Sequence, residues 1–464
     1  MIGNIKSILC TWMFSILVFV SCNNQDAVPH SNENGKRTGG NPVIEEGSAD
    51  PSVRVFNGKV YIYPSHDFSA DNDFWIMKDW KVYSTEDLIH FTDHGVILEG
   101  SDIKWAPQPD HCWAPDCIEK NGKYYFYFCL ADISTGWEGQ IGVAVSNSPA
   151  GPFTDPLGKP LIDKYETVQD YEDRFLFNID PAVFIDDDGK SYLIWGNGGC
   201  YIAELNEDMI SLRSEISKVE IIGHQGYREG PFVWKRKDFY YMLYSPYGGS
   251  GYDELHYATS KNIKGPYHFR GYIVGHGKKG NEHGSVFEYK GQWYVAYHDL
   301  FPTDKYRKTC FEIIHYRQNG DLAQVFPTKD GVGWYDGSSW IEAENYFEKS
   351  KGIEYREHDE NGFHLSRVQQ GEWVKYPNIR MGAGYENTLK VWSASGSTGG
   401  KIEIISDSLN GKKLGELQVK NTNGWLSWRT FETKLIPHDG IIDVYFKFQG
   451  DGDELLSLDW FQFQ

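Results

Sequence analysis

The stretch that decides the fold is Asn57-Gly58-Lys59-Val60-Tyr61-Ile62-Tyr63, in which a tight turn opens an aromatic-rich strand. The Asn-Gly pair favours the two-residue turn of a β-hairpin, and β-branched and aromatic residues favour strands. The pattern returns four more times, as Asn121-Gly122-Lys123-Tyr124-Tyr125-Phe126-Tyr127, Asp188-Gly189-Lys190-Ser191-Tyr192-Leu193-Ile194, Lys237-Asp238-Phe239-Tyr240-Tyr241-Met242-Leu243 and Lys290-Gly291-Gln292-Trp293-Tyr294-Val295-Ala296.

The five copies lie roughly 50 to 70 residues apart, which is the length of a four-stranded propeller blade with generous loops. Tyr, Phe and Trp together make up 16% of the chain, and Gly is abundant, as expected for short strands and tight turns. The sequence therefore predicts an all-β protein with a five-bladed β-propeller over residues 46–336.

One ionisable residue precedes each turn by a similar interval, where the innermost strand of a blade begins near the central funnel. These residues are Asp50, Asp116, Asp180, Glu229 and His283. Their contexts are Ala49-Asp50-Pro51, Trp113-Ala114-Pro115-Asp116, Asn178-Ile179-Asp180-Pro181, Arg228-Glu229-Gly230-Pro231 and Glu282-His283-Gly284-Ser285. Equivalent positions of successive blades face one axis, so we expect the side chains to converge in one pocket.

Converging carboxyl groups suit glycosidic cleavage, which needs a protonated acid for the leaving oxygen and a carboxylate on the other side of the sugar. Neighbouring carboxylates push each other's pKa values apart, which keeps one acid protonated near neutrality. For any single carboxylate a structural role at a strand end is the commoner explanation. The recurrence of Asp50, Asp180 and Glu229 in successive blades favours the catalytic one.

The segments around Asp50, Asp180 and Glu229, in this order and context, resemble glycoside hydrolase family 43 across the whole propeller. The resemblance implies that Asp50 is the general base, Glu229 the general acid, and Asp180 the residue that orients the acid and raises its pKa. It also implies inversion at the anomeric carbon, with roughly 6.5–9.5 Å between the carboxyls of Asp50 and Glu229. His283 resembles the axial histidine that helps to hold a hydrated calcium ion in the funnel.

Three further residues of the propeller are candidates for substrate binding. Asp116 lies where the resemblance implies a role in shaping the pocket, and Trp75 and Trp113 offer ring faces for a sugar. Large aromatic side chains are more often buried in the core. The run Asp186-Asp187-Asp188 imitates a metal-binding loop, and we interpret it as a solvated turn.

Residues 337–464 lack the blade repeat and predict a β-sandwich of jelly-roll type. Ile341-Glu342-Ala343-Glu344, Gly371-Glu372-Trp373-Val374-Lys375-Tyr376 and Leu458-Asp459-Trp460-Phe461 resemble carbohydrate-binding module family 6. The resemblance implies a structural calcium ion held by Glu342, Glu344 and Asp459, and a sugar-stacking role for Trp425.

The sandwich departs from that family at two positions. Arg367 stands where an aromatic residue usually forms the other wall of the cleft, and Ser457 replaces a frequent ligand-binding Asn. Three alternatives to ordinary glycan binding therefore stay open: weak binding, binding on another face, and a purely structural role as a cap on the propeller.

The N-terminus resembles a bacterial lipoprotein signal over residues 1–22. The apolar run Ile8–Val20 is too short to span a bilayer, and Cys22 would become the lipidated end. Cleavage to a freely soluble product is the alternative. Residues 23–45, rich in Asn, Gly, Ser and charge, predict a flexible tether. We thus expect an exported protein anchored to the bacterial envelope, at the outer membrane or in the periplasm.

Five cysteines remain in the folded part, without metal-binding spacing, and we expect buried thiols. The net charge of −20 opposes binding to nucleic acid, and no phosphate-binding loop is present in the sequence, which argues against a nuclease or nucleotide enzyme. The only membrane contact expected is the lipid anchor. Length and charge suit a monomer, and we expect no organic cofactor.

The resemblance implies an exo-acting inverting hydrolase that removes α-L-arabinofuranosyl or β-D-xylosyl units from plant polysaccharides such as arabinoxylan or arabinan. An endo-arabinanase, or an enzyme for galactose-containing glycans, is the alternative within the family. A surface glycan-binding lipoprotein without catalysis is the alternative outside it, although retention of Asp50, Asp180 and Glu229 argues for an enzyme.

Overall fold

The computed structural model describes residues 40–464 except 68–75, 107, 133–137, 165, 167–177, 224–225, 247–253, 276–282, 302–305, 359–361, 382–386 and 439. The signal sequence, most of the tether and Trp75 lie outside these residues. The described residues belong to one compact unit built almost wholly from β-strands, with one 3-10 turn at Gly100–Asp102. No helix in the described part is long and apolar enough to cross a membrane.

Five mainly antiparallel sheets follow one another along the chain and confirm the predicted propeller. The first blade contains β1 (Ala49–Phe56), β2 (Lys59–Ser65), β3 (Asp79–Thr85) and β4 (Thr92–Glu99), and the second β5 (Cys112–Lys120), β6 (Lys123–Asp132) and β7 (Glu138–Ser146). The third contains β8 (Ala182–Ile185), β9 (Ser191–Trp195), β10 (Cys200–Leu205) and β11 (Ser217–Val219). The fourth contains β12 (Ile221–Ile222), β13 (Tyr227–Arg236), β14 (Phe239–Pro246), β15 (Leu255–Ser260) and β16 (Tyr267–Val274). The short strand β12 pairs in parallel with β16 at the edge of this sheet. The fifth contains β17 (Gly284–Tyr289), β18 (Gln292–Phe301) and β19 (Tyr306–Ile314).

The hairpin turns that identified the repeat join the first two strands of each blade. Asn57 and Gly58 have φ angles of 52° and 77°, and Asn121 and Gly122 have 55° and 77°. Positive φ at both central residues matches the right-handed twist of the flanking strands, and Asn and Gly tolerate it best. Separate apolar clusters then fill the spaces between neighbouring blades.

The propeller is closed by the segment just before β1, which runs along β19. The amides of Val43 and Ser48 donate to the carbonyls of Thr309 and Arg307. Asn41 is buried, and its side chain donates to Glu312 at 2.9 Å. The folded body therefore begins by residue 40, six residues before the predicted boundary, because backbone bonds, the Asn41 side chain and the buried Ile44 hold this short segment.

The C-terminal part is a sandwich of two sheets. One contains β20 (Tyr335–Asp336), β22 (Glu348–Lys349), β25 (Trp373–Met381), β27 (Gly399–Ser406), β28 (Lys413–Lys420) and β30 (Gly440–Gln449). The other contains β21 (Ile341–Glu342), β23 (Glu354–His358), β24 (Gly362–Ser366), β26 (Thr388–Ser395), β29 (Gly424–Lys434) and β31 (Ser457–Phe463). Their inner faces share one apolar core. The sandwich starts two residues before the predicted position 337, because Tyr335 pairs with β25.

The sandwich packs directly on the fifth blade. Gln292 donates to the carbonyl of Glu344 at 2.8 Å, and the hydroxyl of Tyr355 accepts from the amide of Tyr316 at 3.1 Å. The five cysteines Cys112, Cys117, Cys129, Cys200 and Cys310 are buried free thiols, as predicted.

Candidate active site

The candidate catalytic residues lie where the innermost strands bend away from their partners. The pairing of β1 with β2 shifts between Ala49 and Ser52, and that of β13 with β14 shifts between Glu229 and Phe232. Asp50 and Asp180 have φ angles of 49° and 56°, which are unusual for residues other than glycine. Bulges and positive φ angles re-aim side chains and concentrate at functional sites, so the local backbone supports this assignment.

The ring of His283 lies among all three predicted catalytic carboxyls. Its Nδ1 is 3.5 Å from Oδ1 of Asp50, and its Nε2 is 3.6 Å from Oδ2 of Asp180 and 3.8 Å from Oε1 of Glu229. All four side chains are buried. Burial lowers the pKa of His283, but the three carboxyls outweigh it and raise the pKa to about 9. An imidazolium at neutral pH thus offsets part of the buried negative charge.

Asp50 is held as a carboxylate. Its Oδ2 accepts from Ser65 at 2.5 Å and its Oδ1 from Arg307 at 3.2 Å, while its amide donates to Nδ1 of His298 at 2.9 Å. Burial acts to raise the pKa of Asp50, but the charges of Arg307 and His283, with the hydrogen bond from Ser65, prevail and lower it to about 2. Asp50 is therefore ionised over the whole working range, as a general base requires.

Asp180 and Glu229 have opposite pKa shifts. Burial raises the pKa of Asp180 to about 7 against the attraction of His283, and repulsion from Glu229 and Asp50 acts in the same direction as burial. Burial also acts to raise the pKa of Glu229, but His283 and Arg228 outweigh it, so the pKa is lowered. In the ligand-free site the pair therefore keeps a proton near neutrality on Asp180, whereas the resemblance had implied a raised pKa for Glu229.

Two groups fix the orientation of the Glu229 carboxyl. The Asn197 amide donates to its Oε2 at 2.5 Å, and Nε of Arg228 lies 3.5 Å from its Oε1. The amide of Gly230 donates to Oδ2 of Asp180 at 3.1 Å. Asp180 and Glu229 are thus held by the same short segment of β13.

Asp116, the second-blade residue of the series, ties blades together. Its carboxylate accepts from Ser52 and Arg54 in the first blade and from the amide of Val183, at 2.7 Å, in the third. It is buried and lines the same small cavity on the propeller axis as Asp50, Asp180 and His283, a cavity of about 30 Å³. The structure thus shows a positioning role for Asp116, which leaves its carboxylate oxygens occupied.

The predicted tryptophans differ in exposure. Trp113 is almost fully buried, and its carbonyl accepts from the indole of Trp80 at 2.8 Å, so little of its ring is free for a sugar. Trp425 is half-buried, and its indole lies against Gly396 so closely that a Cβ there would be 2.8 Å from it. Trp75 lies outside the described residues.

Sequence reasoning missed the groups that hold Asp50 from the fifth blade. Arg307 reaches Oδ1 of Asp50 while its Nε and Nη2 donate to Asp67 at 3.0 and 2.8 Å. His298 and Arg307 lie on β18 and β19, outside the innermost-strand positions that the repeat marks. A buried arginine beside β-strand aromatics gives no signal in one sequence, so only the folded structure reveals these residues.

The predicted calcium ligands of the sandwich also lie near one another. Glu342 and Asp459 occupy the adjacent strands β21 and β31, and Asp459 accepts from His358 at 2.9 Å. Burial, with the negative charge of Asp459, raises the pKa of Glu342 to about 7. Glu344 is buried, its pKa is raised by burial and by Glu342, and its Oε2 has no hydrogen-bond partner among the described residues.

The geometry defines a propeller hydrolase with a buried carboxyl cluster joined to a sandwich module, and the comparisons with known proteins agree. Residues 39–322 match the family described as Glycosyl hydrolases family 43, and residues 342–464 match Carbohydrate binding module (family 6). The chain belongs to glycoside hydrolase family 43 and carries a C-terminal module of family 6.

The named relatives are enzymes. An arabinoxylan arabinofuranohydrolase of Bacillus subtilis (strain 168) is 30% identical, with 99% of each chain covered. A xylosidase/arabinosidase of Bacteroides ovatus is 34% identical over 55% of this chain and 87% of its own. The protein is thus a glycoside hydrolase of the arabinofuranosidase and xylosidase type.

Solved structures give the same result. The crystal structure of the B. subtilis arabinoxylan arabinofuranohydrolase with cellotetraose has a TM-score of 0.54 at 31% identity and covers 91% of this chain and 97% of its own. A β-xylosidase/α-arabinofuranosidase from a compost metagenome, in complex with xylotriose, has a TM-score of 0.54 at 31% identity and covers 65% and 99%. The first of these spans both the propeller and the sandwich of this chain.

Proposed function

We propose that this protein is an exo-acting, inverting glycosidase that removes α-L-arabinofuranosyl units, with β-D-xylosyl units as the second candidate, from arabinoxylan or arabinan. The observation that carries the proposal is the arrangement around His283, whose ring nitrogens lie 3.5–3.8 Å from carboxyl oxygens of Asp50, Asp180 and Glu229. The names of the relatives support the choice of sugars.

Asp50 would act as the general base. Its oxygens are fixed by Ser65 and Arg307, so the carboxylate needs no reorientation before it removes a proton from water. The water then attacks the anomeric carbon from the Asp50 side.

Glu229 would act as the general acid. A neutral sugar that fills the funnel displaces water from the pair, and lower polarity favours a neutral carboxyl, so the shared proton becomes available to Glu229. Asn197 and Arg228 hold the Glu229 carboxyl in place, while Asp180 shares the proton with it. Inversion requires room for water between Asp50 and Glu229, which corresponds to roughly 6.5–9.5 Å between the carboxyls.

A structural calcium ion in the sandwich is the second proposal. Glu342, Glu344 and Asp459 supply oxygen atoms, which calcium prefers, and the unpartnered Oε2 of Glu344 is a buried acceptor that an ion would satisfy. When bound, the ion would neutralise the mutual repulsion of these carboxyls. Glu342 lies on β21, which pairs with β31, the strand that carries Asp459.

A calcium ion in the funnel fits this structure less directly. Within the described ranges, Asp180, Glu229 and His283 are the one group of three potential ligands whose ligand atoms all lie within 4.8 Å of one another, and the sandwich carboxyls Glu342, Glu344 and Asp459 are more widely spaced. Both ring nitrogens of His283 face carboxyls, however, and a protonated imidazole is not a metal ligand. We therefore propose that His283 supplies the positive charge itself, and that any hydrated ion lies beside it in the axial cavity.

We also propose that the protein is exported, anchored through a lipid on Cys22, and active as a monomer on plant polysaccharide outside the inner membrane. The apolar run Ile8–Val20, followed by Ser21-Cys22, supports this proposal. Labelling with a radioactive or clickable fatty acid would test it, with Cys22→Ser as the unlabelled control.

Leaving-group dependence tests the catalytic assignment. A nitrophenolate leaves without protonation, so Glu229→Ala should lose much more rate on arabinoxylan than on 4-nitrophenyl α-L-arabinofuranoside. Asp50→Ala should lose about 10²–10⁴-fold on both, since water activation is needed in each case. Glu86→Gln, an exposed carboxylate, is the control that should keep full activity.

Proton NMR of the first product anomer tests inversion in the same assays. Retained configuration, or equal losses for Glu229→Ala on both substrates, would contradict the proposal. Comparison of the arabinofuranoside with the β-D-xyloside then identifies the sugar.

A further inference from the structure

A cavity of about 460 Å³ lies at the junction of the propeller and the sandwich. One side is formed by the chain that follows β19, including Phe326, and the other by the start of the sandwich, including Trp340. Ligand pockets for small molecules usually measure about 300–1,000 Å³, so the cavity has the size of a binding site. It shares no lining residue with the axial cavity of the active site.

Two exposed aromatic side chains stand in this cavity. Phe326 is 62% exposed and Trp340 is 67% exposed, and Trp340 is the most exposed large apolar side chain of the described residues. Exposed large apolar groups at one concave site mark a binding surface more often than isolated ones do.

One face of the Trp340 ring packs against another indole ring. It stacks on Trp460 with centroids 5.2 Å apart and planes 15° apart, and Trp460 stacks in turn on Trp392 at 6.1 Å and 6°. One face of the Trp340 indole is therefore covered, and the exposure belongs to its other face. A rigid aromatic platform binds without a large loss of side-chain entropy.

The polar lining suits hydroxyl groups. Nε2 of His315 lies 2.9 Å from Oδ1 of Asn345, an acceptor, so Nε2 carries the hydrogen and Nδ1 is left as an acceptor. His315 is 9% exposed, and its Nδ1 has no hydrogen-bond partner among the described residues. Asp330, Asp336 and Glu344 add carboxyl groups to the wall, whereas the carboxyl of Glu312 is already bonded by Asn41 and Thr328.

Charge excludes other ligand classes. No lysine or arginine occurs among the described residues that line the cavity, so an anionic ligand such as a uronate or a phosphate ester would meet no cationic side chain of these types and would face the carboxyls of Asp330 and Asp336. The carboxylates do not form a cluster of three that could share a metal ion. Stacking faces combined with acceptors leave a neutral, hydroxyl-rich ligand.

We propose that this junction cavity is a second carbohydrate site, which binds a short unbranched stretch of a neutral polysaccharide main chain with one sugar stacked on Trp340. The site draws on both domains, so it is distinct from a site on the module alone and from the funnel. It does not depend on the catalytic proposal, because binding is measured separately from turnover.

Titration calorimetry with linear xylohexaose and cellohexaose tests the proposal on the full chain, with Glu229→Gln present throughout to suppress turnover. Trp340→Ala should weaken one binding event about fivefold or more, and Phe326→Ala should weaken the same event by a smaller factor. Phe239→Ala, an exposed aromatic residue elsewhere on the propeller, is the matched control and should leave binding unchanged.

Three results would overturn the proposal. Binding that survives Trp340→Ala but is lost in Trp425→Ala would place it on the module loop. Binding that survives both would place it in the funnel. Hexagalacturonate that binds as tightly as xylohexaose would contradict the charge argument. Thermal unfolding of each variant shows whether the fold is intact, and hydrolysis of the hexasaccharide, followed by chromatography, reports failure of the catalytic assignment separately.

Discussion

The ring of His283 lies against the backbone of Gly230 so closely that a Cβ at residue 230 would be 2.9 Å from its Cδ2 and 3.0 Å from its Nε2. Gly230 also has a φ of 66°, and its amide donates to Asp180. The glycine thus gives the imidazole access to the carboxyls on both sides of the pocket. Its place between Glu229 and Pro231 sets the geometry of the whole cluster.

Gly230→Ala is expected to remove most activity by displacing His283, and to destabilise the protein by about 1–2 kcal/mol through its backbone alone. Gly58→Ala is the matched control, since Gly58 has a φ of 77° but nothing within 4 Å of an added Cβ. It should lose similar stability and keep full kcat/KM. Equal activities in the two variants would show that the close contact does not matter.

Asp180→Asn should move the alkaline limb of the pH profile. In the wild type the pair keeps its proton up to a pKa of about 7, so kcat/KM should fall above that pH. Without Asp180 the remaining neighbours His283 and Arg228 lower the pKa of Glu229, and the limb should shift to lower pH. Asp188→Asn, on an exposed turn, should leave the profile unchanged. An unshifted limb in Asp180→Asn would mean that the two carboxyls do not share the proton.

Arg307→Met should shift the acid limb of the kcat/KM pH profile to higher pH and reduce the free energy of unfolding. Two buried carboxylates, Asp50 and Asp67, lose their common partner, which destabilises a fold by about 3–5 kcal/mol. The folded-state pKa of Asp50, about 2, lies below its ordinary value, so ionised Asp50 stabilises the wild type above that ordinary value and loses this effect as the pH falls through about 2.

Kinetics at low pH and urea unfolding of Arg307→Met test this expectation. Arg307→Lys keeps the charge but not the paired contact with Asp67, so its acid limb and its stability should lie between those of the wild type and Arg307→Met. A wild-type acid limb in the Met variant would show that Arg307 does not control Asp50.

Asn41→Ala should weaken the closure of the propeller. The Asn41 side chain bonds Glu312 at 2.9 Å, the Thr328 carbonyl at 3.0 Å and both backbone groups of Phe311. Its loss leaves buried groups unpaired, at about 1–3 kcal/mol of unfolding free energy. Urea unfolding measures this, with Asn319→Ala on a surface turn as the control. An unchanged midpoint would mean that the segment before β1 adds little to closure.

Calcium should raise the unfolding temperature of the sandwich. An ion at 100 times its dissociation constant adds about 2.7 kcal/mol to the free energy of unfolding. Scanning calorimetry with calcium and with a chelator measures the change, and Glu344→Gln should abolish it. Activity on a nitrophenyl glycoside should stay the same in that variant. A calcium response that persists in Glu344→Gln would locate the ion elsewhere.

The sequence was most informative about the features that every blade repeats. Each blade needs the same turn and the same innermost strand, so Asn57-Gly58 and its counterparts reveal the number of blades, and reading back from them finds Asp50, Asp180, Glu229 and His283. The predicted start of the folded body at residue 46 was less accurate. Asn41 carries no apolar signal, and the buried acceptor that it satisfies, Glu312, is far away in sequence.

The sequence by itself determined the propeller, the sandwich and the carboxyl series, because hairpin turns and strand alternation are local properties. Only the tertiary structure decided which carboxyl holds the proton, since that depends on the distances from His283 and Arg307 to groups on other blades. It also showed that Asp116 links blades as well as lining the axial cavity, and it brought Trp340 and His315 to one cavity. Electrostatic interactions and contacts between residues far apart in sequence form only when the chain folds and brings their strands together.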